Sequence, residues 1–179
     1  MTHAQERLVK DGGKPAGIDG FSLIELLVVI AVISILAALV ALDFHSWTTK
    51  SNIDSQVKQT AADIENARMS AQMTKPYKYA MVLNPNGYTF ISYSSAGDPG
   101  TQAGSTSLHY SIQQFSGGTY SPLNNSTLLF SSLGLLSSPA SPVVIAITPG
   151  QGNSAVNCIS IQTFKSNIGQ IQGGSCVSQ

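Results

Sequence analysis

The chain has 179 residues, a formal net charge of zero and only 10% charged residues. That length allows one compact domain plus an appendage, and so few charges exclude a partner recognised mainly through electrostatics, such as duplex DNA. From Ala80 to Gln179 the charged residues are Asp98 and Lys165 alone, in a stretch rich in Ser, Thr, Asn, Gln and Gly that suits display outside the cytoplasm.

Met1 to Gly20 is polar, with Arg7, Lys10 and Lys14 against Glu6, Asp11 and Asp19, and it holds Gly12, Gly13, Pro15 and Gly17. It has no apolar run and reads as a disordered cytoplasmic leader, to be excluded from the fold. Its basic residues agree with an N-in orientation. Phe21 then opens an apolar run. The seventeen residues from Leu26 to Leu42 contain one polar side chain, Ser34. Such a run lies at the lower edge of the roughly 17–25 residues that cross a bilayer, so a membrane or fibre-core helix is expected over 21–42. Glu25 lies inside the zone. A carboxylate there costs ~2.5–3.5 kcal/mol on insertion scales and marks a function by default. An idle carboxylate at headgroup level is the plainer alternative. An ordinary secretory signal would need a small-x-small site after the run, and Leu39-Val40-Ala41-Leu42-Asp43 offers a poor one.

The stretch Gly20-Phe21-Ser22-Leu23-Ile24-Glu25-Leu26-Leu27-Val28-Val29-Ile30-Ala31 resembles the class III leader of type IV prepilins and type II secretion pseudopilins. The resemblance implies a cut between Gly20 and Phe21 by a prepilin peptidase that also N-methylates Phe21. Glu25 becomes the fifth mature residue. It also implies assembly with other pilin or pseudopilin subunits on an inner-membrane platform, without a cofactor. Cleavage would leave an α-ammonium at Phe21 in an apolar fibre core, and a buried charge needs a partner. In that family the Glu is the expected partner, here Glu25, in the same or a neighbouring subunit, which would select the docking register. Many type IV pilins carry Pro at the twenty-second mature residue, where this chain has Leu42.

No Gly or Pro occurs from Phe21 through Lys75. That allows one helix of about 80 Å, stopped at Pro76. Beyond Asp43 an amphipathic stripe is expected on Phe44, Trp47, Ile53, Val57, Ala61, Ile64, Ala67 and Ala71. Lys50, Asp54, Lys58, Asp63, Glu65 and Arg68 fill the polar remainder.

After Pro76 the period becomes strand-like. Tyr77–Leu83 and Tyr88–Tyr93 flank Asn84-Pro85-Asn86-Gly87, a hairpin pattern. Ser94–Thr106 reads as a loop. Further strands are expected at Leu108–Phe115, Thr127–Phe130, Val143–Thr148, Cys158–Phe164 and Gln170–Gln172. The predicted fold class is α+β, a long N-terminal helix packed on a small antiparallel sheet. The expected divisions are a leader 1–20, an apolar helix 21–42, an amphipathic helix 43–75 and a globular part 76–179. The layout is similar to the FimT/GspH-type minor pilins and pseudopilins. The segments that carry this are Ile64-Glu65-Asn66-Ala67-Arg68, the Tyr88 hairpin, Leu128-Leu129-Phe130 before Gly134, and the closing Cys158–Ile171 hairpin with Gly169. Cys158 and Cys176 read as one disulfide if the segment is exported, with two free buried thiols as the alternative.

No catalytic constellation stands out. His3, His45 and His109 are scattered, and two Cys need two more ligands to make a zinc site. Pro149-Gly150-Gln151-Gly152-Asn153 lacks the Gly-Lys-Ser/Thr ending of a phosphate loop. Asp98 in Gly97-Asp98-Pro99-Gly100 reads as a turn residue sooner than a calcium ligand. A structural subunit is therefore expected, not an enzyme. A DNA-uptake pilin is the alternative, and the single Lys165 after Lys78 speaks against nucleic-acid binding.

Overall fold

The computed structural model describes residues 21–74, 77–140, 142–147 and 154–179, without the side chains of 39–43. The leader with Gly20, the expected stop at Pro76 and the stretch from Thr148 to Asn153 lie outside the described residues.

The breaker-free sequence forms α1 (Leu23–Thr74, 52 residues). Two units are distinguished along the chain, one ending at Ala41 and the other running from Leu42 to Gln179. In the second unit α1 buries Ile53, Val57, Thr60, Ile64, Ala67, Arg68 and Ala71. These steps of three and four keep one helix face turned inward. Phe44 and Trp47, expected to begin this stripe, are instead 62% and 64% exposed. The periodicity continues, but among the described residues nothing covers it there. Trp47 precedes Ile53, the first buried residue, by about 9 Å of helical rise.

Among the described residues eleven strands follow. β1 (Lys78–Asn84), β2 (Gly87–Tyr93), β3 (Thr101–Ser107), β6 (Ser126–Ser131) and β7 (Leu136–Ser138) form one sheet in the order β3-β2-β1-β6-β7. β4 (Ile112–Ser116), β5 (Thr119–Pro122), β8 (Val143–Ile147), β9 (Cys158–Ile161), β10 (Ser166–Gln172) and β11 (Ser175–Ser178) form a second sheet in the order β11-β10-β9-β8-β4-β5. Every pairing is antiparallel.

The expected hairpin is present: Asn84 pairs with Gly87 around Pro85 and Asn86. Other expectations are corrected. One small sheet becomes two. The expected loop over 94–106 contains β3, whose Gly87↔Ser107 and Ser92↔Thr101 registers make it a strand without apolar alternation. The strand expected from Leu108 begins only at Ile112, because Leu108 and Ile112 donate their N–H groups to the carbonyls of the β1–β2 turn, at Asn86 and Pro85. β9 ends at Ile161, and β10 is longer than the predicted 170–172.

The main core joins the helix stripe to both sheets, through Tyr79, Met81, Leu83, Leu128 and Phe130 on one side and Ile145, Ile147, Ile159 and Ile161 on the other. Side chains alternate across a strand. The opposite faces of β8 and β9 accordingly place Ala146 and Cys158 in a second, smaller cluster with Phe115, lined by Tyr120, Val144, Ile171 and Cys176.

Candidate functional site at the start of the long helix

Phe21, at the expected new terminus, is exposed. Ser22 occupies the N-cap position before Leu23, and its carbonyl accepts the Leu26 N–H at 3.1 Å. Glu25 lies in the first turn, and its Oε2 accepts the Ser22 backbone N–H at 3.4 Å. This is the back-reaching half of a capping box, in which an N3 Glu satisfies the N-cap donor. A carboxylate in this turn also faces the positive end of the helix dipole. The sequence signal for this cap is the Ser-x-x-Glu spacing of Ser22 and Glu25. Glu25 therefore has a local structural task in the single chain, beside any task between chains.

From Phe21 to Ala38 every residue of this unit is exposed, including Leu26, Leu27, Ile30, Ile33 and Leu36. The hydroxyl of Ser34 donates to the Ile30 carbonyl at 2.7 Å, so the one polar side chain of the run is satisfied within the helix. Such i−4 back-bonding lets Ser sit in apolar surroundings. Among the described residues no helix is long and apolar enough to cross a membrane. Of the expected span over 21–42, the side chains of 39–42 lie outside the described residues.

In the other unit, side chains from the expected polar remainder of the helix fasten it to the sheets. Arg68 is only 4% exposed. Its Nη1 donates to the carbonyls of Gly134 (3.1 Å) and Thr163 (2.7 Å), and its Nη2 to those of Gln162 (2.5 Å) and Lys165 (3.5 Å). The guanidinium also lies 5.2 Å from the Phe130 ring centre, a cation–π distance. Its Nε stands 3.4 Å from Glu65 Oε1, an ion pair without hydrogen-bond alignment. Burial lowers the Arg68 pKa, partly countered by the charge of Glu65. Gly134 makes the cradle possible with a φ of +73°, and a Cβ there would strike the Gln72 side chain. Tyr88 donates its hydroxyl to Asp63 at 2.6 Å, and Asp54 accepts the Val156 N–H at 3.0 Å.

Cys158 and Cys176 form a disulfide with a Cα–Cα distance of 6.1 Å, joining β9 to β11. Gly169 between them in β10 abuts the Val177 carbonyl so closely that no Cβ fits. Asp98 is a turn residue: its Oδ2 accepts the Ser94 N–H and hydroxyl, both at 2.6 Å, and its Oδ1 the Gly100 N–H at 2.9 Å. His45 is exposed on α1, and His109 stacks edge-on against Tyr110 at 4.6 Å, outside any strand. Among the described residues no group of three or more His, Cys, Asp or Glu side chains gathers to hold a metal ion.

A family model described as the prokaryotic N-terminal methylation motif matches residues 18–41. No curated protein and no solved structure matches the chain. The matched residues contain the Gly20–Phe21 junction, Ser22 and Glu25, and they belong to a structural motif and not to an enzyme family. This motif supports the reading of the chain as a type IV pilin-like prepilin.

Proposed function

We propose that this chain is a structural fibre subunit, a minor pilin or pseudopilin, made as a precursor and cut between Gly20 and Phe21. A prepilin peptidase would make the cut and N-methylate Phe21. The subunit would rest in the inner membrane through the apolar run up to Leu42, with its N-terminus cytoplasmic and its β-rich part exported. From there an assembly platform would pass it to other subunits. The observation that carries this reading is the methylation motif over 18–41, with Glu25 one turn from the new terminus. The exposed apolar side chains from Phe21 to Leu36 support it, since such a surface needs a lipid or protein partner. The near absence of charge after Ala80 and the Cys158–Cys176 bond suit a segment that works in an oxidising compartment.

The deciding experiment is the N-terminal residue and intact mass of the protein, produced with and without an active prepilin peptidase. The expected product begins at N-methylated Phe21 only when the peptidase is present. A Met1 terminus despite an active enzyme, or a cut near Ala41, would overturn the reading.

A further inference from the structure

Two aromatic side chains of α1 are left outside the core. Phe44 and Trp47 lie with ring centres 6.1 Å apart, and both are largely exposed. They follow directly on the apolar run that ends at Leu42, at the turn where Asp43, His45 and Lys50 bring polarity back into the sequence. The neighbouring hydroxyls are already satisfied: Thr48 donates to the Phe44 carbonyl at 2.9 Å and Thr49 to the His45 carbonyl at 3.0 Å. This turn of helix therefore presents rings without demanding water at its threonines.

We propose that Phe44 and Trp47 form an aromatic anchor that seats this turn of α1 in the headgroup layer of a lipid bilayer. The inference rests on the membrane attachment proposed above. A tryptophan combines an apolar body with one N–H donor, which suits a boundary that is apolar below and wet above. Lys50, one turn further, can lay its apolar stem along the boundary and keep its ammonium among the headgroups. A bilayer boundary needs no shape match. A second protein would have to offer a pocket for the tilted ring pair. Before assembly the anchor fixes how far α1 is sunk, and hence where the sheets begin relative to the membrane surface.

Trp47 is the single tryptophan of the chain, so its fluorescence reports this position alone. The full chain would be reconstituted in phosphatidylcholine–phosphatidylglycerol vesicles, with lipids brominated either close to the headgroup or close to the chain end. The expected emission is blue-shifted from that of the unfolded chain. It should be quenched about twofold more strongly by the shallow bromines than by the deep ones, as for interfacial aromatic residues. In a Phe44→Trp/Trp47→Phe double variant the reporter moves one turn toward the apolar run, and the balance should tilt toward the deep bromines. Emission as open to aqueous acrylamide as in the unfolded chain would overturn the anchor. So would bromine-insensitive emission that reddens on dilution, which would mean that a second copy covers the rings. The N-terminal residue, measured on the same vesicles after peptidase treatment, keeps the two ideas apart. A Phe21 terminus with a water-exposed Trp47 sinks the anchor alone, and a Met1 terminus with a shallow Trp47 sinks the processing alone.

Discussion

Arg68 shows how a charged side chain can serve a core. Its fork reaches carbonyls of the β6–β7 turn and the β9–β10 turn, while its stem belongs to the buried helix face. Arg68→Ala strips those carbonyls of their donors and should cost about 3–5 kcal/mol of unfolding free energy. Arg68→Lys should recover only part, because one ammonium cannot reproduce the planar fork. Glu65→Ala should cost less than about 0.5 kcal/mol, since that carboxylate is half in solvent. Urea unfolding of the three variants measures the order, and an equal loss for Glu65 and Arg68 would refute it. Asp98 offers a pH handle. Hydrogen bonds from the Ser94 hydroxyl, the Ser94 N–H and the Gly100 N–H hold its pKa below the usual carboxylate value. A depressed folded pKa means the turn is favoured above the ordinary value of 3.8 and released as pH falls through the lowered one. The amide resonances of Ser94 and Gly100 should therefore titrate together at a pH below 3.8, and titration above it would contradict the bonding described.

At the scale of elements, Tyr88 joins β2 to α1 through Asp63. Burial raises the Tyr88 pKa well above its usual value, and the hydrogen bond and charge of Asp63 raise it further. The folded chain therefore holds this proton where the unfolded chain has lost it. Its contribution is complete below the ordinary value of 10.0 and disappears as pH rises beyond it. Tyr88→Phe should flatten the alkaline loss of stability above that pH, and an unchanged slope would exclude Tyr88 as its source. β11 pairs with β10 alone at the edge of its sheet. The Cys158–Cys176 link closes a separation of 18 residues, so Cys176→Ser should cost about 3 kcal/mol in the chain-entropy model. Faster hydrogen exchange in β11 than in β9 would mark where the loss begins.

These elements also show what the sequence carries. The Tyr88 hairpin was legible because apolar alternation and a Pro-Asn turn point the same way. β3 was not, since Thr101-Gln102-Ala103-Gly104-Ser105-Thr106-Ser107 has the composition of a loop and is a strand only through its bonds to β2. The helix stripe was legible from Ile53 onward. It misled at Phe44 and Trp47, because periodicity states which face is apolar and not whether anything covers it. Arg68 and Asp63 were hidden for the same reason: their partners are backbone carbonyls and a tyrosine far away in the chain.

Over the whole molecule, the recognisable information is concentrated at one end. The match to a known motif stops at residue 41, and the part that folds around two sheets supplies architecture without a shared signature. Glu25, inside that motif, combines a local role with a proposed one, and the two can be separated. In the single chain its carboxylate caps the helix by accepting the Ser22 N–H. In the proposed fibre it would neutralise the α-ammonium of Phe21. Glu25→Gln divides them, since a capping box accepts Gln as well as Glu at this position, while the charge is gone. Circular dichroism should then show unchanged helix content, and the peptidase should still release Phe21. Recovery in sheared fibres should fall more than about tenfold, because an unpaired ammonium in an apolar core costs several kcal/mol. Glu25→Ala loses both roles and should add fraying of the first turn. Assembly of Glu25→Gln at the level of the parent chain, with failure of Glu25→Ala, would mean that the cap and not the charge is what the fibre requires.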